Sequence, residues 1–228
     1  MSMRDSAKKR VAVILSGCGY LDGSEIREAV AVLWALSKHG AEAHCFAPDA
    51  DQWDVVDHLT GKAIKGETRN MLHESARIAR GEIKPLTDLH TTDFAAIVMP
   101  GGFGAAKNLS SFARDGANGS VEPELLKILQ TALGESKSIG AACIAPAVLA
   151  IAFKGVGLTL TVGQEGEESA EITKLGHHHV VRPVDDALLD TAHHIVTTPA
   201  YMYGDAPIHE VFEGIELMVR KVLELTEK

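Results

Sequence analysis

Cysteine is scarce in this chain: its 228 residues hold only Cys18, Cys45 and Cys143, an odd count at wide spacings with no CxxC pair. That pattern argues against a disulfide framework and leaves a zinc ribbon unsupported. It fits reduced thiols and a cytoplasmic location. Basic residues are also in deficit, 22 Lys and Arg against 31 Asp and Glu, for a net charge of −9. Such a balance opposes nucleic acid and anionic membrane as partners. No apolar run approaches the roughly 20 residues that span a bilayer. The first ten residues are polar and carry no apolar stretch of the secretory-signal kind. Repeats, linkers and low-complexity tracts are missing too.

What remains is an ordinary globular composition, 46% hydrophobic and 23% charged, at a length that fits one domain over residues 1–228. Arg10 to Leu15 is a β-branched-rich run without polar alternation, which predicts a strand buried on both faces. Ser24 reads as the N-cap of a helix from Glu25 to His39, closed by Gly40. Ala43 to Ala47 is a second strand. Residues 51–65 read as a hairpin or an excursion at the sheet edge, and Thr68 to Arg80 as a helix. Phe94 to Met99 is another buried strand, and Gly104 to Phe112 reads as a Gly/Ala-rich loop entering a short helix. Glu122 to Gly134 is an amphipathic helix. Later strands are expected at Gly157 to Val162, His179 to Val181 and His194 to Thr198, with helices at Glu167 to Leu175 and Ile208 to Leu225. Alternating strands and helices predict a single doubly wound α/β domain: a flavodoxin-like parallel sheet with helices on both faces and the chemistry in loops after the strands.

One stretch carries the strongest chemical signal. Ser138 to Ala142 reads as a buried strand, Cys143 follows it, and Ala145-Pro146-Ala147 starts a helix, with proline at a position the first turn tolerates. A reactive residue between strand and helix is a nucleophile elbow. The helix N-terminus is expected to favour thiolate and lower the cysteine pKa. Gly101, Gly102 and Gly104 let backbone N–H groups approach a ligand and, with the N–H of Ile144, could form an oxyanion hole; a tight strand exit accounts for the glycine pair equally well. Glu25 and Glu28 share a helix face. Glu25 reads as a partner of the helix dipole, and Glu28, one turn deeper, as a partly buried carboxyl. Gly17-x-Gly19 lacks the third glycine of a dinucleotide fingerprint, since position 22 is Asp22. His177-His178-His179 reads as a helix end and not a metal site, because consecutive side chains do not converge on one ion. Cys18 reads as a turn residue that follows its strand on the same sheet edge as Cys143.

Several motifs together resemble a known family. Leu15-Ser16-Gly17-Cys18-Gly19 with Asp22-Gly23-Ser24-Glu25, Pro100-Gly101-Gly102-Phe103-Gly104, Cys143-Ile144-Ala145-Pro146 and Val196-Thr197-Thr198-Pro199-Ala200 are similar to ElbB-type isoprenoid-biosynthesis glyoxalases. These form part of the PfpI-like branch of the class I glutamine-amidotransferase-like superfamily. The resemblance implies that Cys143 is the nucleophile, that Gly102 and Ile144 supply oxyanion N–H groups, and that Glu28 partners the cysteine, with Glu25 as the fallback. It also implies a homodimer. The superfamily histidine is expected just after Thr161, where this chain has Val162-Gly163-Gln164. Glutaminase-type amidotransfer, which needs that histidine, is disfavoured. The expected activity is a glutathione-independent glyoxalase acting on a small-molecule aldehyde such as methylglyoxal, with no metal and no cofactor and with Glu28 as the base. A redox-sensing or interaction protein, and an amidase or deglycase of the same superfamily, are the alternatives.

Overall fold

The computed structural model describes residues 8–227, so the polar stretch 1–7 lies outside it. In chain order the elements are β1 (Arg10–Ile14), α1 (Ile26–Lys38), β2 (Glu42–Ala47), β3 (Val56–Asp57), β4 (Lys62–Ala63) and α2 (Met71–Ile78). Next come β5 (Ile83–Pro85), β6 (Ala96–Met99), α3 (Phe103–Lys107), α4 (Phe112–Asp115), α5 (Pro123–Gly134), β7 (Ser138–Ala142) and α6 (Ala145–Ala152). The chain finishes with β8 (Thr159–Leu160), α7 (Glu167–Lys174), β9 (His178–His179), β10 (Leu188–Asp190), β11 (Ile195–Thr198) and α8 (Ile208–Leu225).

Seven strands form the central sheet in the order β10-β11-β7-β6-β1-β2-β5. All neighbours run parallel except the edge strand β10, which pairs antiparallel with β11. The doubly wound sheet expected from the apolar runs is what forms. Period-2 alternation along β1 shows why both faces need helices. Val11 and Val13, with Leu15 beyond, pack into the core under α1 and α8, while Ala12 and Ile14 pack into the core under α5 and α6. The chain winds one way from β1 to β2 and β5, and the other way from β6 to β7 and β11. The switch point therefore lies between β1 and β6, and the loops leaving β1, β6 and β7 meet at one edge.

Local departures from the sequence reading have simple causes. Ser24 does not cap α1; Glu25 does, its carboxylate accepting the N–H of Glu28 at 2.6 Å. Ser24 Oγ accepts the N–H of Ser16 at 2.9 Å instead and ties the loop to the end of β1. The stretch expected as a loop from Gly104 is already helical, as α3, because the N–H of Gly104 reaches the carbonyl of Gly23 at 2.9 Å and the small residues let two backbones touch. The strand expected over Gly157 to Val162 shortens to β8, which pairs with β9 away from the main sheet. The strands β5 and β10 are three residues each, too short to show a period, and Pro85 sits in β5 at the sheet edge, where its missing N–H costs least.

Gly214 lies inside α8, where glycine ordinarily costs about 1 kcal/mol relative to alanine. A Cβ there would run into the carbonyl of Val184 and stand 2.9 Å from Thr198 Oγ1. Gly134, at the end of α5, has nothing within 4 Å of such a Cβ. We expect Gly214→Ala to lower stability to urea by about 1–3 kcal/mol, and Gly134→Ala to raise it by up to about 1 kcal/mol. A Gly214→Ala protein as stable as its parent would contradict this account of α8 packing.

Candidate active site

Cys143 joins β7 to α6 with φ +58, a left-handed conformation that a non-glycine residue adopts at some cost. Its N–H donates to the carbonyl of Thr198 at 2.9 Å, holding the elbow against the end of β11. The side chain is buried at 7% exposure but lies in the lining of an open cleft of about 850 Å³.

Behind the thiol sits Glu28, on α1 and fully buried. Oε2 accepts the N–H of Gly101 at 2.8 Å, Oε1 accepts the N–H of Tyr201 at 3.1 Å, and the carboxyl also hydrogen-bonds the Cys143 thiol. Burial, and next the negative charge of Glu25, push this carboxyl up to about 7. Gly101 lies against both groups, and a Cβ on it would lie 2.7 Å from Glu28 Oε2 and collide with the Cβ of Cys143. A side chain there would part the pair.

The thiol does not behave as the helix N-terminus alone suggests. Burial and then the Glu28 charge push Cys143 well above the usual thiol range, while hydrogen bonds from the N–H groups of Gly102 and Ile144 pull the other way. α6 has only eight residues and no side-chain cap, so its dipole is outweighed by desolvation. The two groups titrate as a coupled pair, since the Glu28 charge adds to burial in holding the proton on the sulfur.

Of the three glycines expected to line an oxyanion hole, only Gly102 offers its N–H. That of Gly101 is taken by Glu28, and that of Gly104 by Gly23. Gly102 at φ +94 aims its N–H towards the sulfur alongside that of Ile144.

Glu25, one turn before Glu28, occupies a different place. It is half-buried, and it faces the cleft that Glu28 does not reach. Burial raises its carboxyl, opposed first by the Glu28 N–H and then by Arg27. No histidine lines the cleft among the described residues. The histidine triplet is structural: His177 Nδ1 accepts the N–H of Leu158 at 3.0 Å, and Nε2 faces the carbonyl of Ala150 at 2.9 Å. Cys18 has Glu74, Arg77, Asp22 and Arg69 as its charged neighbours, none of them in the elbow, so it faces α2 and not Cys143. Tyr201 was not singled out among the site residues in the sequence, yet its N–H fixes Glu28. The signal for it was the Thr198-Pro199-Ala200 exit from β11, where Ala200 stands at φ +44.

A buried carboxyl raised from its ordinary 4.5 to about 7 makes the folded protein bind a proton that the unfolded chain releases. Its contribution favours folding least at high pH. As pH rises from about 4.5 through about 7, Glu28 should cost up to about 3 kcal/mol of stability. Urea titrations at pH 5 and pH 8 should show this loss, and Glu28→Gln should remove the slope. An unchanged slope in the variant would place the titrating group elsewhere.

Comparison with known proteins fits this geometry. No family model matches the chain. The rat mitochondrial ES1 protein homolog is 48% identical over 230 residues, covering 97% of this chain and 85% of its own. The human mitochondrial glutamine amidotransferase-like class 1 domain-containing protein 3 is 48% identical over 228 residues, covering 96% and 84%. These names correct the expected cytoplasmic location, since both relatives are named as mitochondrial proteins; reduced cysteines report a reducing compartment without saying which one. Among solved structures, an isoprenoid biosynthesis protein with an amidotransferase-like domain from Ehrlichia chaffeensis superposes with TM-score 0.89 at 37% identity, over 95% of this chain and 99% of that one. Glyoxalase III from Candida albicans superposes with TM-score 0.57 at 14% identity, over 95% of each chain, a likeness of fold alone. The protein belongs to the ES1 family of class 1 glutamine amidotransferase-like proteins, built on the fold shared with the DJ-1/PfpI proteins.

Proposed function

We propose that the protein is a glutathione-independent glyoxalase that converts 2-oxoaldehydes to 2-hydroxy acids through Cys143. The observation that carries the reading is one arrangement. A cysteine open to a cleft has a carboxyl behind it to take its proton and two N–H groups beside it to hold an oxyanion. The fold shared with a glyoxalase III supports the reading without deciding it.

The chemistry divides between the two carboxyls. Glu28 accepts the thiol proton, and sulfur bonds to the aldehyde carbon as the C=O π bond opens. The oxygen, steadied by the N–H groups of Gly102 and Ile144, takes that proton from Glu28 to give a hemithioacetal and leave the carboxyl ionised. The hydrogen on that carbon must then move to the neighbouring carbonyl carbon. Glu28 has no exposed surface and does not line the cleft, so in this reading it is not the base that moves it, a departure from the expectation from sequence. Glu25 faces the cleft and takes that role: it removes the proton to give an enediolate and returns it to the adjacent carbon, while the hydroxyl proton of the first carbon passes to the oxygen of the second. One carbon is oxidised and its neighbour reduced, so no outside oxidant or reductant is needed. The product is a thioester of a 2-hydroxy acid. Water adds to its carbonyl, the C–S bond breaks, and the thiol is restored.

Glutaminase chemistry gains no support here, because no histidine lines the cleft among the described residues.

With methylglyoxal and no glutathione, wild-type protein should form the hydroxy acid and Cys143→Ala should form none. Glu25→Gln should lose about 10²–10⁴ in turnover while Cys143 still reacts with iodoacetamide. Alkylation of Cys143 should slow as pH falls through about 7, because a protonated Glu28 cannot accept the thiol proton, and Glu28→Gln should abolish that inflection. Full turnover by Glu25→Gln would remove it from the mechanism. Hydroxy-acid formation by Cys143→Ala would remove the whole reading.

A further inference from the structure

The cleft is far larger than methylglyoxal requires. At about 850 Å³ it lies in the range of about 300–1,000 Å³ that encloses drug-sized molecules. Immediately beyond Gly102 its wall turns aromatic. Phe103 and Tyr20 both line it, and they are 47% and 49% exposed, leaving about half of each ring residue open. Neither ring is loose. The N–H of Phe103 donates to the carbonyl of Tyr20 at 2.7 Å, joining the two backbones. Tyr20 meets His58 edge-on at 5.4 Å, and the Lys107 ammonium lies 5.6 Å from the Phe103 ring centre. Lys107 is itself held by Asp54 at 2.8 Å. Farther in, Phe112 is 7% exposed and packs with Ala106 and Ile144, so the cleft there is apolar as well.

The charges at the far end do not suggest an anionic tail. Arg114 is stacked over the Trp53 ring at 3.7 Å, and Lys174 is paired with Glu171. Glu167 and Glu168 add negative charge to the same wall. A phosphate or carboxylate extension would meet three cations, Arg114, Lys154 and Lys174, outnumbered by the four acids Asp115, Glu167, Glu168 and Glu171.

We propose that the substrate is a 2-oxoaldehyde whose ketone carbon carries an aryl or bulky apolar group, seated against Phe103, Tyr20 and Phe112 while its aldehyde meets Cys143. This rests on the glyoxalase reading of the same site. The rings are preorganised by backbone and by their outer neighbours, so an apolar group gains contact area without ordering them first.

Two measurements test it separately from that reading. In the first, kcat/KM for phenylglyoxal should exceed that for methylglyoxal by about tenfold or more, and the ratio should fall about tenfold in Phe103→Ala, the size expected of one aromatic contact. Tyr20→Ala should move the ratio in the same direction. An unchanged ratio in both variants overturns the proposal. In the second, Cys143 is alkylated with iodoacetamide and with N-benzyl iodoacetamide, which share a reacting group and need no turnover. The benzyl reagent should react faster and saturably, with the advantage reduced in Phe103→Ala. Equal rates overturn the aromatic wall even if aldehydes are turned over. A benzyl advantage in a protein that turns over no aldehyde keeps the apolar site and removes the glyoxalase chemistry.

Discussion

Everything at this site hangs on one buried carboxyl. Glu28 has no exposed surface, yet it touches three chain segments that are far apart in sequence: Gly101 after β6, Tyr201 after β11 and Cys143 after β7. A carboxylate taken out of water without partners would be prohibitively costly. Here two backbone N–H groups and a thiol supply partners, so the loops that carry them are held at one distance from α1. The same contacts that satisfy the carboxyl place the Cys143 thiol. Stability and chemistry are therefore opposed at this residue, since each hydrogen bond that settles the charge also lowers its appetite for the thiol proton.

The loops can meet Glu28 only because they carry almost no side chains. Gly23, Gly101, Gly102 and Gly104 bring the β1 and β6 exits so close that a Cβ on any of them would strike backbone or a site atom. Around them runs a polar seam. Ser24 Oγ accepts the Ser16 N–H, and the Asn108 amide donates to the carbonyls of Ser16 and Asp22 at 3.0 and 2.8 Å. Buried carbonyls of irregular loops need such donors, because no ladder supplies them. The rigidity of the site is thus a consequence of satisfying loop backbone beneath the surface.

The fold was legible in the sequence where burial is uniform. β1, β6 and β7 announce themselves as unbroken apolar runs because helices cover both faces, and α8 shows its full helical stripe from Ile208 to Leu225. The pairing of Cys143 with Glu28 came from the resemblance and from one helical period, and the structure brings the two together. Less legible were features that depend on contacts between distant segments. Ser24 carries the right side chain for a cap, but the Ser16 amide claims it. The raised thiol follows from how deeply the elbow is buried, which no local pattern reports. The split between Glu25 and Glu28 is a matter of which carboxyl lines the cleft and which lies fully buried, and three residues of helix cannot say that.

In the glyoxalase reading, that split lets the site do without a histidine. A general base must be ionised near neutral pH, and a proton acceptor for a reluctant thiol must bind protons strongly. One carboxyl cannot do both. Desolvation raises the Glu25 carboxyl, opposed by the Glu28 N–H that it accepts as the cap of α1 and by Arg27 nearby. The charge of Glu25 in turn helps lift Glu28, already raised by complete burial. The more firmly Glu25 stays ionised, the more readily Glu28 takes the proton from sulfur. Burial raises both carboxyls, and Glu28, with no exposed surface and the Glu25 charge beside it, is held up to about 7, so the proposed division of roles rests on which carboxyl lines the cleft and which lies fully buried.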